Sequence, residues 1–99
     1  MISNTEIIPG DPQPINKPSL FPNPSAGWFN IGFNIPVSEN ITIKIYNSDG
    51  LLIDDFGTKP YSRGYHQVSY YIHGKRASWY NVLVKGEKGM EKVMQLLVR

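Results

Sequence analysis

The feature that most constrains the fold of this chain is a strict alternation of apolar and polar residues over positions 27–35. The apolar residues on one parity are Phe29, Ile31, Phe33 and Ile35. The residues on the other parity are Trp28, Asn30, Gly32 and Asn34. Because successive side chains of a β-strand point to opposite faces, this segment is predicted to be a half-buried strand that ends at Pro36.

The same period recurs along the rest of the chain. Ile41, Ile43 and Ile45 alternate with polar residues, and residues 47–50 (Asn-Ser-Asp-Gly) are predicted to form a tight turn closed by a glycine with positive φ. Further strands are predicted over 65–72, 79–84 and 91–99, a turn over 86–89, and a loop at Lys59-Pro60. No segment has a helical period. The chain is therefore predicted to be an all-β, immunoglobulin-like antiparallel β-sandwich of about seven strands.

Residues 1–18 differ from the rest in composition. Positions 9–18 hold four prolines, which remove backbone donors and favour extended geometry, so residues 1–18 are predicted to be a linker and residues 19–99 the sandwich domain. The N-terminus lacks the basic segment and long apolar core of a secretory signal. The chain is thus either cytosolic or one piece of a longer exported precursor.

Charge and residue types argue against several functions. Ten Lys and Arg residues are scattered among eight Asp and Glu residues, whereas nucleic-acid binders gather their basic residues on one face. Cysteine is absent, and no apolar run approaches the ~20 residues that span a bilayer. His66 and His73 are predicted to be surface or loop residues, and Asp54-Asp55 solvated turn acids. No catalytic, metal or cofactor site is predicted, and the chain is not expected to be an enzyme.

Two features leave alternatives open. The last segment carries apolar residues on both parities (Val93-Met94 and residues 96–98), which is typical either of a central strand buried on both sides or of a terminal strand whose outer face awaits a partner. Trp28, opposite in parity to the core residues, is either exposed for ligand stacking or packed on a neighbouring side chain.

The turn that opens the domain is the most specific local pattern. In residues 22–27 (Pro-Asn-Pro-Ser-Ala-Gly), Pro24 presets φ at the second position of a turn, and Asn23 is expected to accept a backbone hydrogen bond two residues on. Gly27 is expected to allow positive φ at the exit. The segment is predicted to be a rigid corner that leads into the first long strand.

Here the sequence resembles a known family, the C-terminal sorting domains of type IX secretion. Residues 21–31 are similar to the family's opening, an aromatic-Pro-Asn-Pro segment followed by small residues, a glycine and an apolar strand. Residues 43–50 resemble its Ile/Val-Tyr strand and polar hairpin, and residues 80–84 and 92–98 resemble its last two strands. The resemblance covers residues 19–99. Two positions depart from it: Ser78 stands where the family has glycine, and Lys75 where an apolar residue is usual.

The resemblance implies a function and a set of partners. Family members are appended to cargo proteins of Bacteroidetes, pass through the periplasm, and direct the cargo across the outer membrane to the cell surface or medium, where a sortase typically removes the domain. The expected partners are therefore the outer-membrane secretion machinery, the sortase and an upstream cargo domain, with no nucleic acid and no stable membrane insertion. A dimer through the last strand is a further expectation. The residues expected to serve partner recognition are Pro22, Asn23, Pro24, Gly27, Tyr80, Lys92, Val98 and Arg99.

The alternative is an immunoglobulin-like or fibronectin-like binding module of a secreted or surface protein. Such a module would bind a carbohydrate or a protein, and Trp28, Tyr61 and Tyr65 would be the residues that contact a glycan.

Overall fold

A computed structural model describes residues 18–72 and 76–99 of the chain. The strands are β1 (Ser19–Phe21), β2 (Trp28–Ile35), β3 (Glu39–Asn47), β4 (Leu52–Tyr61), β5 (Gly64–Tyr71), β6 (Ser78–Gly86) and β7 (Glu91–Val98). They pair antiparallel in a three-stranded sheet of order β1-β2-β5 and a four-stranded sheet of order β4-β3-β6-β7. The predicted all-β antiparallel sandwich of about seven strands is confirmed.

Some sequence predictions fall outside this description. The predicted linker over residues 1–18, Pro18 excepted, lies outside the described residues, as do His73 and Lys75. Within the described part, no helix has the length and apolarity that a membrane span requires.

The core lies between the two sheets and is built from the alternating residues. From the three-stranded sheet it takes the β2 row, which is Phe29, Ile31, Phe33 and Ile35. From the four-stranded sheet it takes Ile41, Ile43, Ile45, Val82, Val84 and Leu96. All of these are at most 2% exposed. The parity prediction for β2 and β3 is therefore confirmed, since one face of each strand forms the core.

The two predicted hairpin turns are present. Gly50 has a φ of +86° and donates its N–H to the carbonyl of Asn47, whose side-chain Oδ1 accepts from the amides of Asp49 and Leu51. In the second turn, the amide of Gly89 donates to the carbonyl of Gly86. Asparagine thus fixes the first turn with its side chain as well as its backbone, which is why this residue type is common there.

Two sequence predictions that concern β4 are wrong. Lys59-Pro60 lies in β4 rather than in a loop. Proline is tolerated there because β4 is an edge strand, so the backbone N–H that proline lacks is not needed on the unpaired side of the strand. Asp54 and Asp55 also belong to β4 and are not turn residues. Of the two alternatives left open for the last strand, the central strand buried on both sides is wrong, because β7 is at the edge of its sheet.

Side chains close the sandwich on the side where β4 and β5 lie. The Tyr70 hydroxyl on β5 donates a hydrogen bond to the Asp54 carboxylate on β4, and its ring packs against Phe56 with centroids 5.0 Å apart. His66 packs between the rings of Phe33 and Tyr61 and is half-buried, so it is not the surface or loop residue that was predicted. Burial, together with the hydrogen bond to Asp54 and its charge, raises the pKa of Tyr70 to about 12.

This pKa shift predicts a loss of stability at high pH. The tyrosine hydroxyl has a pKa near ~10 in the unfolded chain and about 12 in the folded one, so its deprotonation favours unfolding. The stability that this group contributes is complete below pH ~10 and is lost as the pH rises through about 12. We expect the free energy of unfolding to fall over this window, and to fall less in Tyr70→Phe, when urea denaturation is followed at a series of pH values. Tyr65→Phe, which removes an exposed hydroxyl, is the matched control; an equal fall in Tyr70→Phe and the wild type would contradict the prediction.

Candidate functional site

The corner, defined as residues 22–27, is attached to β7 by backbone hydrogen bonds. The amide of Ser25 donates to the carbonyl of Leu97 at 2.8 Å, and the amide of Arg99 donates to the carbonyl of Ser25 at 2.9 Å. Ser25 and Val98 form an isolated parallel bridge. The two segments that the sequence singled out separately, the corner and the last strand, are therefore in direct contact.

Asn23 adds a second set of bonds to this contact. Its Nδ2 donates to the carbonyl of Gln95 at 2.8 Å, and its Oδ1 accepts from the amide of Leu97 at 3.0 Å. The side-chain amide thus occupies a place on the edge of β7 where a neighbouring strand would otherwise pair. The predicted local acceptor role of Asn23, two residues along the chain, is wrong, because the amide of Ser25 is already bonded to Leu97.

Ser25 takes the local role instead. It is 3% exposed, its Oγ accepts from the amide of Gly27 at 2.9 Å, and its hydroxyl donates to the carbonyl of Trp28. This serine was not among the predicted recognition residues. The signal that could have found it is the spacing of a serine two residues before a glycine, which suits a side-chain turn.

Gly27 has the positive φ that was predicted, at +121°. A Cβ at this position would lie 2.9 Å from Cε1 of Tyr71, which is too close for an ordinary contact. The carbonyl of Gly27 also accepts from the amide of Ile72 at 2.9 Å. Glycine is therefore required here both by backbone conformation and by the close approach of β5.

The remaining candidate recognition residues fall into two groups. Pro22, Pro24, Lys92 and Arg99 are exposed, and the Phe21–Pro22 and Asn23–Pro24 peptide bonds are cis. Tyr80 and Val98 are 4% and 5% exposed, and both belong to the core. The Tyr80 hydroxyl donates to the carbonyl of Arg76. The exposed group can contact a partner directly, whereas the buried pair can act only by holding β6 and β7 in place.

Part of the β7 edge is open. Leu97 directs both its N–H and its carbonyl to the corner, so its pair with Trp79 is a non-hydrogen-bonded one. Because pair types alternate along an antiparallel ladder, the pair of Val93 with Leu83 is of the same type. The N–H and carbonyl of Val93 therefore point away from β6, and no other residue within 18–72 or 76–99 bonds to them.

The outer surface of β6 and β7 carries what we call the apolar row, which is Trp79, Leu83, Val93 and Leu97. The register pairs Trp79 with Leu97 and Leu83 with Val93. Trp79 is 49% exposed and Val93 is 55% exposed. The apolar residues on both parities of the last strand are evident from the sequence, but their contact with Trp79 is not, because cross-strand register cannot be obtained from periodicity.

The aromatic residues proposed for a glycan are only partly together. Trp28 and Tyr65 both lie on the outer face of the three-stranded sheet. Tyr61 does not, because it lies in β4, in the other sheet, and packs edge-on against Phe33 with centroids 5.1 Å apart. Trp28 is 62% exposed and its ring also packs against Tyr71, so both alternatives for this residue describe it in part.

For metal chemistry, the described residues offer no group of three or more His, Cys, Asp or Glu side chains that could hold an ion.

Comparison with known proteins identifies a family. The family model described as the secretion system C-terminal sorting domain matches residues 19–98, from the first residue of β1 to the last residue of β7. No curated protein and no solved structure matches the chain.

The contact between the corner and β7 predicts the effect of removing the Asn23 amide. Asn23→Ala removes two hydrogen bonds, so we expect the free energy of unfolding to fall by about 1–2 kcal/mol. Hydrogen exchange at the Leu97 amide should accelerate because it loses its acceptor, whereas the Leu96 amide, which faces β6, should be affected less. Asn34→Ala is the matched control, since the Asn34 side chain has no hydrogen-bond partner among the described residues. Unchanged exchange at Leu97 would show that Asn23 does not hold the edge.

Proposed function

The chain belongs to the family of secretion system C-terminal sorting domains, the sorting signals of type IX secretion, and we propose that it directs an attached cargo protein through the outer membrane. It does so by presenting the open edge of β7 and the apolar row to the secretion machinery. Family membership implies that the chain interacts with this machinery and that it is exported to the cell surface or the extracellular space. The family is one of sorting signals rather than of known enzymes. The observation that most supports the finer proposal is the open backbone at Val93.

An open strand edge is a binding site for another extended segment. The outward N–H and carbonyl of Val93 can pair with a partner strand, and backbone pairing of this kind supplies affinity without demanding a particular partner sequence. The corner covers the edge from Gln95 to Arg99, so a partner strand is confined to the portion from Glu91 to Met94.

The apolar row supplies the side-chain part of the contact. Its two apolar pairs, Trp79 with Leu97 and Leu83 with Val93, are separated by the amide pair of Asn81 and Gln95. Large exposed apolar side chains, tryptophan above all, contribute most of the binding energy at protein interfaces. The row lies on the same two strands as the open edge, so one partner can bind the backbone and the row together.

We further propose that a sortase cleaves the chain within residues 1–18, after passage through the periplasm. The Pro-rich composition of this segment favours extended backbone, which is the form that enters a protease groove. Since β1 begins at Ser19, cleavage before that residue would leave every described strand intact.

Val93→Pro tests the open edge. Proline lacks the N–H that a partner strand would use, and at Val93 this group points away from β6, so the fold should be retained. We expect about tenfold less export of a periplasm-targeted fluorescent reporter fused before residue 1, measured as the extracellular fraction in a Bacteroidetes strain with a working type IX system.

Two controls isolate the backbone effect. Val93→Ala keeps the N–H and removes only methyl groups, so it should be exported better than Val93→Pro. Trp28→Ala changes the opposite sheet and should be exported like the wild type. Wild-type export of a Val93→Pro chain whose urea unfolding is also unchanged would refute the proposed edge.

If the same edge also pairs two copies of the chain, as expected of a dimer through the last strand, sedimentation will show Val93→Pro as a monomer.

A further inference from the structure

The outer face of the three-stranded sheet has a composition unlike that of any other surface described above. We call it the aromatic face. Its outward residues are Ser19 and Phe21 from β1; Trp28, Asn30, Gly32 and Asn34 from β2; and Tyr65, Gln67, Ser69 and Tyr71 from β5. None of these ten outward residues is charged. A site for nucleic acid, anionic lipid or an acidic protein would require cationic side chains, so this face does not suit those ligands.

The rings of the aromatic face form two groups. Trp28 and Tyr71 are paired across β2 and β5, with centroids 4.8 Å apart and planes inclined by 33°. Phe21 and Tyr65 meet over Gly32 from opposite sides, because a Cβ at Gly32 would lie 3.0 Å from Phe21 Cε1 and 2.5 Å from the Tyr65 hydroxyl. Glycine therefore leaves room for these two rings to lie low on the sheet. The two groups are centred about 13 Å apart along β2, at ~3.3 Å per residue.

Amide and hydroxyl groups lie between and beside the rings. Ser69 Oγ donates to Asn30 Oδ1 at 2.6 Å, and Asn30 Nδ2 donates to the carbonyl of Phe21 at 3.2 Å, so the orientation of Asn30 is fixed. The Asn34 side chain has no hydrogen-bond partner in residues 18–72 and 76–99. Gln67 accepts only a long contact of 3.5 Å from the Tyr65 hydroxyl. Amides offer both donors and acceptors, which matches a ligand whose hydroxyl groups do the same.

From this arrangement we propose that the aromatic face binds a neutral polysaccharide. The flat C–H faces of the sugar rings stack on Trp28 at one end and on Phe21 and Tyr65 at the other, since the face of an aromatic ring is electron-rich and attracts polarised C–H groups. The sugar hydroxyls bond to the amides of Asn34 and Gln67. An uncharged ligand complements an uncharged site, and the distance between the ring groups suits a short oligosaccharide rather than one sugar. This binding activity is separate from the recognition of β7, which lies in the other sheet.

The two tryptophans make the test specific, because one lies on each outer surface. In Trp79→Phe the sole tryptophan is Trp28, and in Trp28→Phe it is Trp79. We expect neutral hexaoses of glucose, xylose and mannose, titrated into the full chain, to change the fluorescence of Trp28 in the first variant and to leave Trp79 unaffected in the second. Calorimetry should show that Trp28→Ala weakens binding by about tenfold, whereas Trp79→Ala leaves the affinity unchanged.

Other outcomes would overturn the proposal. Neutral hexaoses that fail to affect Trp28 at millimolar concentration, in protein whose urea unfolding is normal, would exclude it. Equal binding of an oligogalacturonate, which is anionic, would contradict the argument from charge. Loss of export in Trp28→Ala, with no sugar bound, would instead make the aromatic face a protein-docking surface. Tyr65→Ala provides a second route: it should weaken binding without altering the Trp28–Tyr71 pair, so a folding defect in one variant cannot decide the result.

Discussion

The structure depends first on the packing of one row of side chains in each sheet. Phe29, Ile31, Phe33 and Ile35 of β2 share one buried core with Ile41, Ile43 and Ile45 of β3. Burial of each such side chain favours folding by about 1.5–3 kcal/mol relative to exposure, and a domain of this size has little else to offset the entropy of ordering its backbone. Since the core uses one parity of each strand, the other parity is left to meet solvent or partners. The two outer surfaces are thus a direct consequence of the alternation.

The sandwich is closed differently along its two sides. On one side, Tyr70 and Asp54 join β5 to β4 through side chains. On the other, the corner joins the start of the domain to β7 through backbone bonds of Ser25 and the amide of Asn23. The second arrangement makes the position of the last strand depend on residues more than seventy positions earlier in the chain. A binding edge on β7 would therefore exist only in the folded domain, which is consistent with a signal recognised as a structure.

The parts of the fold that follow from period-two alternation could be predicted from the sequence, and the long-range pairings could not. The cores of β2 and β3 follow from parity alone. The partners of Asn23 do not, because local turn geometry offers this residue an acceptor role that only tertiary contacts can override. Pro60 was misplaced since proline signals a loop until a strand is known to be at an edge. Likewise, apolar residues on both parities of β7 indicate burial or binding, and periodicity cannot distinguish them without the strand order.

The two outer surfaces differ in chemistry, and this difference bears on how many partners the domain can hold. The apolar row on β6 and β7 is large and aliphatic apart from Trp79, and it adjoins an open backbone edge, which suits a protein strand. The aromatic face on β1, β2 and β5 has no charged residue in its strands and is rich in rings and amides, which suits a neutral polyhydroxy ligand. Because these surfaces belong to opposite sheets with the core between them, a partner bound at β7 leaves the rings of Trp28 and Tyr65 accessible. Binding at one surface therefore need not exclude binding at the other.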